Sequence, residues 1–352
     1  MPKVRFVLPE VKSICDGRPT HCPYCGGGIF QGHGVVTKPV KDTRLDKVIV
    51  RRYRCTTCNR TFRHYPLGID SHDQSQRTRV LAAIFWGLGL SHNSVSQVLT
   101  SLGAAIAKMT SWRDVQKVGL NLRKAPRATG PIAVIGVDET FPKVKGTKMT
   151  VGFVIEPGSG ELLGIDLLMG QDQLEFLAWL REYVEALGVK VIVSDDLATY
   201  KPVVEELGVE HQVCLAHVKK NVVKRLAKIE EPQTPDSPLR EEKEKLWKLL
   251  TELAEDGGKE LLEMESRVKG EPKLKELVVD LNEKWHSLVC YKRIEGVPST
   301  NNPTEQVIGR SKIRYKTIRG YKSVAGMMNG LYLTQWVWTP EKIRDATSLV
   351  LA

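Results

Sequence analysis

The sequence predicts a multidomain α/β protein, and three observations carry that prediction. Two Cys-x-x-Cys pairs lie in a strongly basic first fifth of the chain. From Ile132, apolar runs of strand length alternate with amphipathic helical stretches. Between His217 and Ser299, about 80 residues of charged helical pattern form an all-α insertion ahead of a last basic stretch. With 352 residues and 41% apolar composition, there is room for two or three domains with cores of their own.

The net charge of +11 is unevenly spread: Met1 to His64 holds 13 Lys/Arg against 4 Asp/Glu, which is +9 of the total. Lys and Arg clustered in this way displace counterions from phosphates, so a polyanion is the expected partner. No apolar run is long enough to span a membrane, and the N-terminus lacks the apolar core of a signal peptide. Seven cysteines, four of them in two pairs, favour metal binding in a reducing compartment over disulfides. The expected location is cytoplasmic, with no membrane partner.

Cys22-Pro-Tyr-Cys25 and Cys55-Thr-Thr-Cys58 have knuckle spacing, in which both thiolates of a pair reach one tetrahedral zinc. Lys47–Arg54 reads as a strand leading into the second knuckle, so residues 12–66 are expected to form a zinc ribbon around one structural Zn²⁺. Cys15 reads as a bystander, and His21, His33 and His64 as surface residues.

Residues 73–125 are expected to be a helix-turn-helix region. Thr78–Trp86 has helical apolar spacing and ends at Gly87-Leu-Gly-Leu; Ser91 then caps a short helix whose polar face carries Asn93, Ser94, Ser96 and Gln97. That face would enter the major groove. Trp112 is expected to start a further short helix, and Asn121–Pro131 reads as a linker.

Strands are expected at Ile132–Val137, Met149–Ile155 and Glu161–Leu168, a meander, followed by helix Leu174–Leu187, strand Val189–Val193, helix Tyr200–Leu207 and a short strand through Val213. The order β-β-β-α-β-α-β is that of a ribonuclease H-like fold, a mixed sheet with helices on both faces. It would occupy residues 131–217 and, after the insertion at 218–297, resume at 298–340. Asp138 ends the first apolar run, Asp195 ends another, and Glu305 lies in Ser299-Thr-Asn-Asn-Pro-Thr-Glu305. Carboxylates at neighbouring strand ends can hold two divalent cations, which clamp the attacking and leaving oxygens of a phosphoryl transfer.

These residues resemble DDE-type transposases, in the branch shared by bacterial insertion-sequence and Mutator-like enzymes. The resemblance runs from about Ile132 to Tyr332 and rests on Val137-Asp138-Glu139-Thr140, Val193-Ser194-Asp195, Cys214-Leu-Ala-His217 and Ser299-Thr-Asn-Asn-Pro-Thr-Glu305, which is close to the family's Thr-Asn-x-x-Glu. It implies that Asp138, Asp195 and Glu305 hold two Mg²⁺ or Mn²⁺ ions, with Asp195 preferred to Asp196 and Glu139 a neighbour. Cys214 and His217 are too few ligands for a zinc site; the resemblance implies that His217 lies near the active-site carboxylates or the DNA backbone, and Cys214 reads either as near the active site or as plainly buried. The implied activity is cleavage and strand transfer at the terminal inverted repeats of a mobile element. The implied partners are double-stranded DNA, both repeat and target, and a second copy or a larger assembly. A non-catalytic, domesticated regulator or a ribonuclease H-like nuclease or resolvase would share parts of the pattern.

Lys219 and Lys220 open a basic helix after His217, and Arg310, Lys312, Arg314, Lys316 and Arg319 follow Glu305 with no acid among them. These are expected along the DNA backbone. Trp247 and Trp285, in the insertion, read either as core residues or as stacking platforms for an unpaired base.

Overall fold

The computed structural model describes residues 4–125, 130–229, 238–318, 320–339, 341 and 343–350. Part of the expected linker (126–129), the loop at 230–237 and Arg319 lie outside the described residues. The chain divides into two compact units, one containing residues up to Ala125 together with those from Arg310 on, the other running from Pro126 to Gly309.

The first unit begins with β1 (Arg5–Val7), β2 (Phe30–Pro39), β3 (Lys47–Cys55) and β4 (Thr61–His64), then α1 (Gln76–Gly87), α2 (His92–Ser101) and α3 (Lys108–Lys124). Strands β2, β3 and β4 form an antiparallel sheet with β3 in the middle. Ser75 and Ser91 cap α1 and α2 by accepting from the amides of Thr78 and Ser94, as the Ser91 position predicts. The third helix starts at Lys108 and runs 17 residues, not the short helix from Trp112 that the sequence suggests. Its buried Val115 and Val118 lie three apart, the spacing of a helix that packs along its whole length.

Turn and helix are locked together in this unit. Asp42, in the turn after β2, accepts from Arg77 Nη2 (2.5 Å), Arg77 Nε (3.1 Å) and Ser75 Oγ (2.5 Å), joining that turn to the start of α1.

The second unit contains β5 (Val134–Thr140), β6 (Lys143–Val144), β7 (Thr147–Lys148), β8 (Thr150–Glu156), β9 (Glu161–Leu168), α4 (Gln173–Leu187), β10 (Val191–Ser194), α5 (Tyr200–Leu207), β11 (Glu210–Val213) and α6 (Leu215–Leu226). The insertion follows as α7 (Pro238–Glu252), α8 (Gly257–Arg267), α9 (Pro272–Leu288) and α10 (Cys290–Arg293). All four helices lie within the charged helical stretch that the sequence predicts between His217 and Ser299. The chain ends with α11 (Asn302–Tyr315), which crosses the division between units, α12 (Val324–Trp338) and β12 (Ile343–Asp345).

The five-stranded sheet has the order β11-β10-β5-β8-β9. Pairs β5–β8 and β8–β9 are antiparallel, whereas β10 runs parallel to both β5 and β11, so the sheet is mixed. The meander and the two helical crossovers appear in the expected order, since parallel neighbours need a crossover and antiparallel ones only a turn.

The pleat divides the side chains between two faces. Ile135, Val137 and Ile192 pack with Phe176 and Leu180 of α4 and Tyr200, Val203 and Val204 of α5. Val191 and Val193 pack on the opposite face with Cys290 and Val297. The insertion has its own core, in which Leu246, Leu250, Leu261, Leu274, Leu281 and Trp285 are buried. Trp285 also donates Nε1–H to Ala254 O (3.1 Å), so it is a core tryptophan, whereas Trp247 is partly exposed.

The residues from Arg310 on group with the N-terminal helices, although the sequence suggests a single piece at 298–340. Trp338 Nε1 donates to Gly87 O (3.0 Å), Asn121 Nδ2 to Leu349 O (3.0 Å), and β12 pairs in parallel with β1. Among the described residues no helix is long and apolar enough to cross a membrane.

Candidate active site

Asp138 lies inside β5 rather than at its end, paired with Phe153 of β8. The strand continues to Thr140 because β8 goes on pairing with it. Strand β10 stops at Ser194, and Asp195 Oδ1 then accepts from the amide of Leu197 (3.1 Å), an Asx turn that leads the chain away from the sheet. Val193 is opposite Gly136 in the last parallel pair, so Asp138 and Asp195 each follow a paired residue by two positions, the step that returns to the same sheet face, with Asp195 just past the end of its strand.

Glu305 reaches that face through an anchored helix. Asn301, buried, donates from Nδ2 to Val137 O (2.9 Å), and Thr304 Oγ1 donates to Asn301 Oδ1 (2.5 Å). A Cβ on Gly136 would lie 2.4 Å from Thr304 Oγ1, so only glycine lets the start of α11 come this close to β5. The glycine just before the strand's Val-Asp, and the Asn and Thr of residues 301 and 304, are parts of the site that the sequence reading missed. Each has its signal inside a motif already noticed.

His217, in the first turn of α6, places Nε2 3.7 Å from Glu305 Oε1. Cys214 precedes that helix, fully buried, with its amide bonded to Ser194 O (2.9 Å). Cys214 therefore ties the start of α6 to the end of β10, and His217 faces the acidic group. Burial raises the pKa of Asp195; its turn hydrogen bond and His217 lower it, while Asp196 and Glu305 add to the rise.

The two aspartates at 195 and 196 have different surroundings. Asp196 accepts from Lys284 Nζ of α9 (2.8 Å) and from Asn221 Nδ2 (3.3 Å). Lys284 also pairs with Asp280 (3.0 Å). Glu139, one residue past Asp138, points to the opposite face, where it accepts the hydroxyl of buried Tyr200. Burial, chiefly, moves its pKa up to about 7, with the charges of Asp138 and Asp195 adding to the effect.

In the N-terminal unit, Cys22, Cys25, Cys55 and Cys58 bring their sulfurs within 4.8 Å of one another. Cys25 Sγ lies 3.6 Å from Cys55 Sγ and Cys22 Sγ lies 3.8 Å from Cys58 Sγ, near the ~3.8 Å edge of a tetrahedron with 2.3 Å zinc–sulfur bonds. Gly26 and Asn59 stand four residues after the first cysteine of each pair. Both have positive φ, 72° and 60°, and each amide bonds back to that cysteine's carbonyl. The two knuckles thus have matching turns, and the cluster is compatible with zinc. Cys15 lies apart, donating to His64 O (3.2 Å).

The expected nucleic-acid residues divide in a similar way. On α2, Asn93 and Gln97 are exposed, but Ser96 Oγ is spent on Ile106 O (2.5 Å) and Ser94 Oγ bonds Ser91 Oγ (2.8 Å). Lys220 and Lys316 are exposed, and Lys219, Arg310 and Lys312 partly so. Arg314 corrects the sequence reading. It is 3% exposed, donates to Gly89 O and Leu90 O (2.9 Å each) and lies 4.4 Å from the Trp86 ring centre, so it closes the α1–α2 turn rather than facing a ligand.

The chain is similar to DDE-type transposases, the class its ordered motifs suggest. Residues 179–329 match the model of the transposase IS66 family, a stretch that includes Asp195, His217 and Glu305 but neither Asp138 nor the four clustered cysteines. Solved structures that the chain matches include the catalytic core of BIV integrase, 12% identical over 51% of this chain and 95% of that one, with a TM-score of 0.21. Another is the HTLV-2 integrase catalytic core in complex with magnesium, 17% identical over 35% of this chain and 87% of that one, with a TM-score of 0.22. A chain of the simian T-cell lymphotropic virus intasome in complex with PP2A regulatory subunit B56 gamma is 13% identical over 44% of this chain and 63% of that one, with a TM-score of 0.22. No curated protein matches the chain.

Proposed function

We propose that this protein is a metal-dependent DNA transposase that binds the terminal inverted repeats of a mobile element and cuts and joins DNA at Asp138, Asp195 and Glu305. The observation that carries the proposal is the convergence of these residues on one sheet face. Asp138 on β5 and Asp195, just past the end of its parallel neighbour β10, each follow the paired Gly136 and Val193 by two residues, and the Asn301–Val137 hydrogen bond brings the start of α11 to β5.

The donors suit a hard divalent cation, because all are carboxylate oxygens. The setting suits one as well: Asp195 is held where burial and nearby acids oppose its charge, a cost that a cation offsets. Asp138, Asp195 and Glu305 would hold Mg²⁺ or Mn²⁺, which supplies charge stabilisation to the attacking and leaving oxygens. Asp196 is committed to Lys284 and Asn221, which favours Asp195 as the ligand. His217 orients Glu305 from its other side. The four cysteines would hold one structural Zn²⁺, and α1 with α2 would present Asn93 and Gln97 to the major groove. Two element ends must meet, so the working form is a dimer or larger.

The test is incubation with DNA carrying the element's own inverted repeats, with and without Mg²⁺. The expected product is a cut 3′-hydroxyl end that joins to a second DNA. Cleavage without joining would reassign the protein as a nuclease, and binding with neither step would make it a regulator.

A further inference from the structure

The ribbon has a feature that a purely structural zinc module does not need. Arg52 on β3 and Arg63 on β4 are direct cross-strand partners. Like charges placed opposite each other destabilise a sheet. Among the described residues neither arginine forms an ion pair. Beside them is a cavity of about 560 Å³ whose lining includes Tyr24, Arg52, Thr61, Phe62, Arg63 and Tyr65, with no carboxylate. Tyr24 is 55% exposed, and the guanidinium of Arg60 stands 5.2 Å from its ring centre.

We propose that this cavity binds one nucleotide of an unpaired DNA strand, with the phosphate between Arg52 and Arg63 and the base against Tyr24 and Tyr65. The chemistry of the lining selects the ligand. Two unpaired guanidiniums call for an anion, while the exposed ring of Tyr24 and the half-buried ring of Tyr65 call for a flat apolar face, and a nucleotide offers both. A duplex hides its base faces in the stack, whereas a single strand presents them to such a platform. The size fits, since small-ligand pockets run to roughly 300–1,000 Å³. The proposal rests on the nucleic-acid partner of the proposed function but not on the three carboxylates.

The experiment is fluorescence anisotropy of the full chain, without divalent cation, against a labelled oligothymidine strand and a labelled duplex of equal length. Tyr24→Ala and Tyr65→Ala should each weaken strand binding about fivefold or more, the scale of one lost base stack, and leave duplex binding within about twofold. Tyr24→Phe should bind like the parent. Arg63→Gln should reduce the slope of log affinity against log salt by about 0.7, one lost phosphate contact on a single strand. Zinc content equal to the parent's certifies the knuckle in each variant; if Tyr24→Ala loses zinc, Tyr65→Ala decides. Unchanged strand affinity in the alanine variants overturns the proposal, as does an equal loss on duplex. Asp138→Asn should bind the strand as the parent does, so inactivity at the carboxylates and failure of this pocket are read separately.

Discussion

The cysteine cluster and the carboxylate group are two sites of metal-ligand chemistry built in opposite ways. The cysteines come from two local turns of matching shape, on a sheet whose middle strand leads directly into the second turn, and their sulfurs already lie at tetrahedral spacing. The carboxylates come from residues 138, 195 and 305, joined only through strand register and one anchored helix. Among the described residues the four cysteines form the one group of three or more such ligands with donor atoms within 4.8 Å. Burial is the main reason that the pKa of Asp195 is raised, and the like charges of Asp196 and Glu305 add to it. A local site can be tight by chain geometry alone; a long-range site depends on everything that sets its register.

The largest effect should follow from breaking the local site. Cys55→Ser removes one of four zinc ligands, and structural zinc is worth about 10–16 kcal/mol in small zinc modules. Metal analysis should find the bound zinc lost, and circular dichroism should find the ribbon unfolded; full zinc retention would refute the cage.

At the long-range site, Asp195→Asn or Asp138→Asn should lower Mg²⁺-dependent cleavage by on the order of 10³-fold with end binding kept, since the ions' charge stabilisation is worth several kcal/mol. Asp196→Asn, one residue away, should leave cleavage within about tenfold. Equal loss in both aspartate variants would break the distinction that Lys284 suggests.

Gly136→Ala tests the anchoring directly. Its methyl meets the fully buried Thr304 hydroxyl, and forced overpacking of this kind costs about 1–3 kcal/mol. A lower urea midpoint together with weaker Mg²⁺ dependence of cleavage is expected; a change in stability alone would mean that α11 does not position Glu305.

The smallest effect concerns the N-terminal unit. Burial raises the pKa of Asp114 from the ordinary 3.8 to about 6, although Gln74 donates to its carboxylate. The folded state then holds that proton more tightly than the unfolded state, so its contribution to stability falls as pH rises from about 4 to about 6. Asp114→Asn should flatten that decline by on the order of 1 kcal/mol in thermal melts across this window.

The order of elements was legible because the meander and crossovers leave a period in the sequence. Glu161–Leu168 and Tyr200–Leu207 match residue for residue. Strand ends were less legible, because β5 extends only as far as β8 pairs with it, and that is a long-range fact. The cysteine site was readable from spacing. The carboxylates were readable as candidates, but not the interactions that separate Asp195 from Asp196, because Lys284 lies 88 residues away. Arg314 misled for the same reason: a basic residue in a basic run looks solvent-facing until its carbonyl partners at Gly89 and Leu90 are known.

The pairing of β1 with β12 sets an order of assembly during synthesis. The carboxylate unit, ending at Gly309, is fully translated before the last helix is made. The N-terminal helices, translated much earlier, wait for Val337 to pack on Gly87 and for Leu349 to accept from Asn121. The first unit to be translated is thus the last to be completed, and a prematurely terminated chain would carry the acidic site without a finished ribbon-and-helix unit.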